Sequence, residues 1–256
     1  MEEVRRMRPL LGTFVEVCAR GPAAGAAVDA ALLSIERSQR RWSRQDEGSE
    51  LSTLNRSAGE PVALSLATLR LLRLARALRR HSGGAFDCTL GTGETANALE
   101  IGPGWARLRA PARITLDGIA KGFAVDRAIG AMRRTDAALA GGWINAGGDL
   151  RVFGDRALPV HRREIDGRLT PLGLLRDAAM ATSAVYPAGA VRDRRFPADI
   201  VAPPGRQPSP GAWTVLARSA CRADALTKVA ATAEPAGRAA LVAALGGHLL
   251  QPEEAA

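Results

Sequence analysis

The sequence predicts an α+β domain in which mixed or antiparallel sheets pack against helices. Strand-like and helical segments follow one another without the strict alternation that predicts a doubly wound parallel sheet. The chain has 256 residues, of which 46% are hydrophobic, so it can bury a large core. We therefore expect one large domain over residues 1–256, with residues 250–256 as a flexible tail.

The first half of the chain contains one strand-like pattern and two helical patterns. Residues 12–19, "GTFVEVCA", alternate between apolar and polar side chains, as a half-buried strand does. The next stretch, "AAGAAVDAALLSIERSQRRWS", has good helix formers at helical spacing. After a polar loop, "ALSLATLRLLRLARALRRHSGG" predicts an amphipathic helix with Ser65 as its N-cap and Gly83 or Gly84 at its C-terminal end.

The second half mixes short strands with helices. Residues 114–116 are strand-like, the chain turns at residues 117–118, and a helix follows from about Ala120. Two short strands about a glycine turn are predicted for "ALAGGWINAGGDLRVFG", and one strand each for "RDAAMATSAVYPAG" and "AWTVLAR". Helices are expected over "CRADALTKVAATA" and "EPAGRAALVAALGG".

Composition narrows the classes of function. The net charge is +9 and the pI is near 10.9, but the arginines are scattered and lack the interleaved aromatic residues of a single-strand binding groove. We therefore expect no nucleic-acid partner, whereas the positive charge suits an anionic substrate. The three cysteines are far apart, which predicts free thiols and neither a zinc site nor a disulfide framework.

The N-terminal segment has no apolar stretch of signal-peptide length and no lipoprotein cysteine after one. No apolar run reaches the roughly 18 residues of a membrane-spanning helix. The chain as written is expected to be cytoplasmic. It would be periplasmic or membrane-anchored only if an N-terminal signal has been removed.

Glycines and short polar residues meet at several junctions between regular elements, in residues 84–91, 117–122, 145–149 and 223–228. Glycine allows a positive φ and a close backbone approach, and helix N-termini offer free N–H groups to anions. These corners could bind phosphate, but a glycine turn is more often structural. Within residues 145–149, Asn145 and Asp149 are expected to fix the turn through local hydrogen bonds to the backbone.

The stretch "LDGIAKGFAVD" places Lys121 one turn into the predicted helix, after Asp117 and Gly118. A cation beside free helix N–H groups would suit a pyrophosphate. The alternative is a solvated lysine, with Asp117 as the helix cap. Neither a Walker A loop nor a dinucleotide-binding glycine pattern is present in the sequence.

In "ADALTK", Asp224, Thr227 and Lys228 share one face of the predicted helix. A carboxylate and a hydroxyl one turn apart can supply two oxygen ligands to Mg²⁺. The ammonium of Lys228 would compete with the metal. The spacing alone favours an ion pair between Asp224 and Lys228.

Taken in order, these motifs resemble the FAD:protein FMN transferases, the ApbE-type flavin transferases. The similar segments extend over almost the whole chain. They are "LLGTFVEV", "WSRQDEGSELSTLN", "GGAFDCTLG", "ITLDGIAKGFAVD", "INAGGDLRVFG", "ATSAVY" and "ADALTK". The collinear order makes the resemblance specific, although each segment alone is a weak signal.

The resemblance implies a T-fold-like architecture, bound FAD as a substrate, Mg²⁺, and a target flavoprotein. FMN would pass from FAD to a Ser or Thr hydroxyl of that target, with release of AMP. Asp224 and Lys121 would be the catalytic residues, and the metal would be bound by Asp224, the Gly118 carbonyl and a group one turn after Asp224, at Thr227 or Lys228. The positions implied for FAD are Leu11, Ala85, Phe86, Asp87, Thr115, Asp117 and Lys121.

The chain departs from the family pattern at three places. Lys228 stands where the family's metal helix has Thr, and Thr115 replaces an acidic residue two before the paired motif glycines. Residues 197–205, "PADIVAPPG", lack the family's His, and Asp199 is their nearest carboxylate. These departures keep two alternatives open: an FAD pyrophosphatase that yields FMN and AMP, and a non-catalytic flavin-binding or assembly module.

Overall fold

The structure is a computed structural model that describes residues 2–89, 98–109, 111–136, 138–187, 200, 202 and 206–250. Its elements form helices and antiparallel sheets, as the α+β prediction requires. The strands are β1 Glu3–Leu10, β2 Thr13–Arg20, β3 Val62–Ala63, β4 Leu99–Ile101, β5 Trp105–Leu108, β6 Gly141–Ala146, β7 Asp149–Gly154, β8 Ala157–Arg163, β9 Leu169–Arg176, β10 Ala179–Val185, β11 Gly211–Ala217 and β12 Gly247–Leu250. The helices are α1 Ala24–Trp42, α2 Glu50–Arg56, α3 Leu66–His81, α4 Ala120–Thr135, α5 Ala220–Thr232 and α6 Arg238–Ala244, with a 3₁₀ turn at Pro235–Gly237.

The main sheet joins strands from both ends of the chain in the order β1-β2-β6-β7-β10-β11-β12. Every neighbouring pair in it is antiparallel. The alternation predicted for residues 12–19 is confirmed in β2, where Val15, Val17 and Ala19 pack on one face while Cys18 belongs to the core on the other. The hairpins β1–β2 and β6–β7 lie side by side because β2 pairs with β6.

Helices α1 and α4 cover one face of this sheet. The apolar positions of α1 repeat at helical spacing, and Val28, Ala31 and Ile35 are fully buried against the strands. Val125 and Ile129 of α4 join the same core. This packing holds the beginning of α4 at the end of the sheet where both hairpins turn.

The opposite face of the sheet is covered in part by the β8–β9 hairpin, which forms a two-stranded sheet of its own. Val160 and Leu175 of the hairpin pack with Trp143 and Val152 of the main sheet. This small third layer buries the second face of the main sheet.

A second core lies around α2, α3, α5 and the three-stranded sheet β3-β5-β4. The predicted cap of α3 is present, because the Ser65 hydroxyl accepts the Thr68 N–H at 3.4 Å. Gly83 and Gly84 follow the helix at φ values of 58° and 80°, as expected for its C-terminal end.

Residues 114–116 are an exception to the sequence prediction, because they are extended but belong to no strand. The side-chain amide of Asn55 exchanges two 2.9 Å hydrogen bonds with the N–H and carbonyl of Ile114. The Thr115 N–H donates to the Cys88 carbonyl at 2.8 Å. These bonds satisfy the backbone that a neighbouring strand would otherwise pair with.

At the C-terminal end, the helix predicted over "EPAGRAALVAALGG" is present as the 3₁₀ turn and α6. β12 then pairs with β11, so Leu250 belongs to the sheet and not to a tail. Residues 251–256 lie outside the described residues. All three cysteines are buried free thiols, as predicted. None of the helices that the structure describes has the length and apolar character needed to cross a membrane.

Candidate active site

Two hairpin turns meet at one end of the main sheet. The β1–β2 turn contains Leu11 and Gly12, and the β6–β7 turn contains Gly147 and Gly148, all with positive φ. A Cβ added at Gly147 would lie 2.6 Å from the Thr13 Oγ1, so the two turns are in direct contact. Leu11 is the unusual member, because a non-glycine residue rarely adopts a φ of 56°.

The glycine turn between β6 and β7 is fixed by only one of the two predicted side chains. Asn145 Oδ1 accepts the Gly148 N–H at 3.0 Å, as expected. Asp149 instead accepts a 3.0 Å hydrogen bond from Lys121 Nζ in the first turn of α4. The expectation that Asp149 binds the local backbone is therefore corrected: it binds a lysine 28 residues earlier in the chain.

A second lysine–carboxylate pair lies on α5. Lys228 Nζ forms an ion pair with Asp224 Oδ1 one turn earlier, as the i,i+4 spacing indicated. The other carboxylate oxygen, Asp224 Oδ2, accepts the Gly122 N–H at 3.1 Å. Both oxygens of this carboxylate are therefore engaged, one by an ammonium of its own helix and one by the backbone of α4.

Gly122 makes this contact between helices possible. A Cβ at this position would lie 2.2 Å from the Ala220 carbonyl oxygen and 2.8 Å from the Cys221 nitrogen. Both atoms belong to the backbone and cannot rotate away. Only glycine allows α4 and α5 to approach closely enough for the Asp224 carboxylate to reach the α4 backbone.

The two pairs form one cluster, in which the carboxylates are buried and the lysine side chains are less buried. We call Lys121, Asp149, Asp224 and Lys228 the lysine–aspartate cluster. The Asp149 and Asp224 side chains are 3% and 0% exposed, whereas those of Lys121 and Lys228 are 34% and 18% exposed. With two positive and two negative groups, the cluster is neutral when all four are ionised. The two lysine side chains are therefore the more exposed members of the cluster.

The pKa values of the two carboxylates are shifted in opposite directions. Burial and the neighbouring Asp224 raise the pKa of Asp149 to about 6, against the opposing effect of the two lysines. Burial alone would raise the pKa of Asp224, but Lys228 and Lys121 outweigh it and hold that pKa below its ordinary value. The charge of Asp149 raises the pKa of Lys121. Near neutral pH the cluster therefore keeps Asp224 and Lys121 ionised, and Asp149 is its titrating member.

Thr227, the hydroxyl predicted one turn after Asp224, points into the protein. Its side chain donates to the Asp224 carbonyl oxygen at 2.7 Å and lies 2.7 Å from the Ser183 hydroxyl of β10. Because the Thr227 proton is used in the first bond, Ser183 is the donor in the second. Thr227 is 0% exposed, so this hydroxyl links α5 to the sheet.

Phe86, in the loop after α3, and Lys228 of the cluster both lie beside Gly118. A Cβ at Gly118 would lie 3.4 Å from the Phe86 ring and 3.5 Å from the Lys228 side chain. The neighbours of Phe86 have structural roles: the Ala85 carbonyl accepts the Thr232 hydroxyl, and Asp87 binds Thr89 and Arg79.

Thr115 and Asp117 lie at the exposed entrance to α4. The Thr115 hydroxyl accepts the Asp117 N–H at 3.3 Å, and Asp117 pairs with Arg44 at 2.8 Å. The Asp117 side chain is 59% exposed and does not cap α4, whose N-cap is Ile119 without a side-chain hydrogen bond. The alternative in which Asp117 caps the helix is therefore not what the structure shows.

Asp126 joins three elements of the site, although it was not among the site residues predicted from the sequence. Its carboxylate accepts the N–H groups of Ala220 and Cys221 at 2.9 Å each and pairs with Arg151 of β7. Asp126 is the last residue of the segment "ITLDGIAKGFAVD". An aspartate inside a helix gives no sign in the sequence that its partner is the start of another helix. Residues 197–199, 201 and 203–205, including Asp199, lie outside the described residues.

Comparison with known proteins identifies proteins that are similar to this chain in sequence and in fold. A sequence model described as the ApbE family matches residues 11–104 and 93–249. The ApbE protein of Thermotoga maritima is 23% identical over 97% of this chain and 94% of that one, with a TM-score of 0.82. The flavin transferase ApbE of Vibrio cholerae is 20% identical over 98% and 97%, with a TM-score of 0.77.

The flavinyl transferase ApbE of Pseudomonas stutzeri, solved in its apo form, is 17% identical over 98% of this chain and 95% of that chain, with a TM-score of 0.77. No protein of curated function matches the sequence significantly. The structural likenesses establish the fold at these identities, and the match to the family sequence model extends over most of the chain.

Proposed function

The chain belongs to the ApbE family, and from this membership we propose that it is a flavin transferase that moves FMN from FAD to a Ser or Thr hydroxyl of a target flavoprotein and releases AMP. The proposal treats residues 1–256 as one flavin transferase domain. FAD and the acceptor protein are its two substrates.

The observation that carries the proposal is a pair of partly exposed lysine side chains, each bound to a buried carboxylate. Lys121 lies in the first turn of α4 and Lys228 in the third turn of α5, and both act electrostatically on Asp149, so the charges of two helices converge at one place. A pyrophosphate is a diffuse dianion that two such cations can bind together. The Leu11 turn would provide backbone surface for the rest of FAD, and the buried Phe86 ring would support the backbone at Gly118.

We assign the FAD-binding roles residue by residue. Lys121 would bind the pyrophosphate, and Phe86 would contact the flavin nucleotide beside Gly118. Leu11 would offer its carbonyl, because its N–H already donates to Gln39 Oε1. Asp87, Thr115 and Asp117 would contribute through the backbone that their side-chain bonds hold in place. Ala85 would contribute through the loop backbone, which the Thr232 hydroxyl holds at the Ala85 carbonyl.

The proposed reaction is an in-line displacement at phosphorus. The acceptor hydroxyl oxygen forms a bond to the FMN phosphorus of FAD, and the bond from that phosphorus to the bridging oxygen breaks. AMP leaves with the bridging oxygen and its electron pair, and the hydroxyl proton is released. Lys121 would stabilise the negative charge that develops on the phosphate oxygens, and Asp224 would hold Lys228 beside them.

Mg²⁺, which the family resemblance implies, fits these residues poorly. Both Asp224 oxygens are engaged, and the Thr227 hydroxyl is buried in other hydrogen bonds. Lys228 offers a cation and no lone pair when it is protonated. In the described part of the chain, no group of three or more His, Cys, Asp or Glu could hold a metal ion. The role of Mg²⁺ stays a prediction, and we derive no step through it.

The test incubates the purified protein with FAD, with and without a flavoprotein that carries an acceptor threonine. We expect covalent FMN on the acceptor and one AMP for each FMN transferred, detected by in-gel flavin fluorescence, intact mass and chromatography. The same acceptor with its threonine replaced by alanine is the control. Free FMN with AMP would instead identify a pyrophosphatase, and bound, unchanged FAD would identify a binding module.

The pKa of Asp149 predicts how FAD affinity depends on pH. Asp149 is faced by Lys121 of α4 and by Asp224 and Lys228 of α5. Below a pH of about 6 it takes up a proton, and the lysine–aspartate cluster changes from neutral to a net charge of +1. An anionic pyrophosphate should then bind more tightly, by about tenfold, and affinity should fall as the pH rises through this range.

Flavin fluorescence titrations from about pH 5 to about pH 8 measure this dependence. The Asp149→Asn variant is the control, because it cannot titrate and its affinity should stay flat across the range. A wild-type affinity that increases from the acidic to the neutral end would contradict the assignment of Asp149 as the titrating group.

A further inference from the structure

Lys228 occupies the centre of the position predicted for the metal. Its ammonium is paired with Asp224 Oδ1, and its side-chain carbons Cγ and Cε pass 3.5 Å from where a Cβ of Gly118 would stand. The lysine therefore lies across two of the groups, Asp224 and Gly118, that were predicted to bind Mg²⁺. A metal bound by these groups would have to displace the side chain.

The other bonds of Asp224 and Thr227 also oppose the binding of a divalent cation. Asp224 Oδ2 is held by the Gly122 N–H at 3.1 Å, and Gly122 cannot move away because α4 and α5 are in backbone contact there. The Thr227 hydroxyl uses its proton on the Asp224 carbonyl and its oxygen on Ser183. The Asp224 and Thr227 oxygens that would replace part of the hydration shell of a divalent ion therefore already have protein partners.

The charges of the lysine–aspartate cluster also oppose the binding of a divalent cation. Lys121 and Lys228 balance Asp149 and Asp224, so the cluster is complete without an added ion. A divalent cation among these groups would face two ammonium ions across a poorly solvated region, where repulsion is weakly screened. In the proposed function, the pyrophosphate of the flavin nucleotide would meet cations supplied by the protein itself.

We propose that the Lys228 ammonium takes the place of a divalent cation in this site, so that flavin binding and transfer proceed without metal. This inference rests on the proposed function for its flavin half. Its metal half concerns the protein alone and can be tested without FAD.

The first experiment titrates Mn²⁺, a spectroscopic substitute for Mg²⁺, into the flavin-free full-length protein and follows free Mn²⁺ by electron paramagnetic resonance. We expect no stoichiometric binding to the wild type. The Lys228→Thr variant, which frees Asp224 and places a hydroxyl one turn after it, should bind one Mn²⁺. The Lys228→Met variant, similar in length but without a ligand, is the matched control and should bind weakly or not at all.

A one-to-one Mn²⁺ complex of the wild-type protein would overturn the proposal, whatever the variants do. This outcome needs no variant, so it is decisive even if Lys228→Thr fails to fold. Circular dichroism and thermal unfolding of both variants establish whether their titrations report on a native site.

The second experiment measures FAD affinity and FMN transfer with EDTA and with Mg²⁺. For the wild type we expect both to be unchanged within about twofold. For Lys228→Thr we expect FAD affinity to fall by about tenfold or more in EDTA and to recover with Mg²⁺. Loss of wild-type FAD binding in EDTA would refute the metal-free site. Absence of FAD binding in every condition would refute the proposed function instead, and the Mn²⁺ titration would still decide the metal question.

Discussion

Replacement of Asp224 by asparagine is expected to abolish flavin transfer and to lower the free energy of unfolding by about 3–5 kcal/mol, the usual cost of breaking a buried ion pair. Asp224 is fully buried between Lys228 and the Gly122 N–H. Asparagine keeps an oxygen for Gly122 but leaves two ammonium groups with a single carboxylate. Urea denaturation followed by circular dichroism measures the stability, and in-gel flavin fluorescence measures the transfer.

A double variant separates the effect of charge from that of shape. In Asp224→Asn combined with Lys228→Met, the charges of Lys121 and Asp149 balance again, so part of the lost stability should return. Activity should not return, because one of the two outward cations is missing. A stability loss under about 1 kcal/mol in the single variant would show that the Asp224–Lys228 pair is far weaker than its burial implies.

Replacement of Gly122 by alanine is expected to have the second largest effect, a loss of about 1–3 kcal/mol with impaired flavin binding, because one added methyl group overpacks a backbone contact. Its Cβ would lie 2.2 Å from the Ala220 carbonyl oxygen. The helices must then separate, and Asp224 loses its bond from the Gly122 N–H. Thermal unfolding and FAD titration measure the two consequences.

Gly130→Ala on the same helix is the matched control. Its added Cβ would meet only the end of the Arg134 side chain, at 3.3 Å, and that side chain can rotate away. Because alanine favours a helix over glycine by about 1 kcal/mol, this variant should be neutral or more stable. Equal destabilisation of both variants would show that the α4–α5 contact at Gly122 is not the cause.

The sequence predicted the helices and hairpin of the site because their signals are local. The i,i+4 spacing of Asp224 and Lys228 indicated their ion pair, and the paired glycines after Asn145 indicated the turn that its side chain fixes. Ser65 and the glycines after His81 likewise marked the two ends of α3. Each of these features is decided within one or two turns of chain, where spacing and capping rules apply.

The features that the sequence did not predict depend on distant partners. β1 is an edge strand with mostly exposed side chains, so it lacks the alternation that identified β2. Residues 114–116 have a strand-like composition, but Asn55, 59 residues away from Ile114, takes their backbone bonds. The partner of Asp149 is a lysine on another element, and no spacing rule connects them. The β8–β9 hairpin was also missed, because most of its side chains are at least partly exposed and its strands lack a clear apolar alternation.

The Asp126 carboxylate that receives the first two N–H groups of α5 belongs to a residue 94 positions upstream of Ala220. On a ribosome, α4 and its lysine emerge long before α5, and during that interval neither Asp224 nor Lys228 is present to complete the cluster. The lysine–aspartate cluster is therefore assembled only after α5 has been synthesised, so its four charges cannot contribute to the folding of the growing N-terminal half.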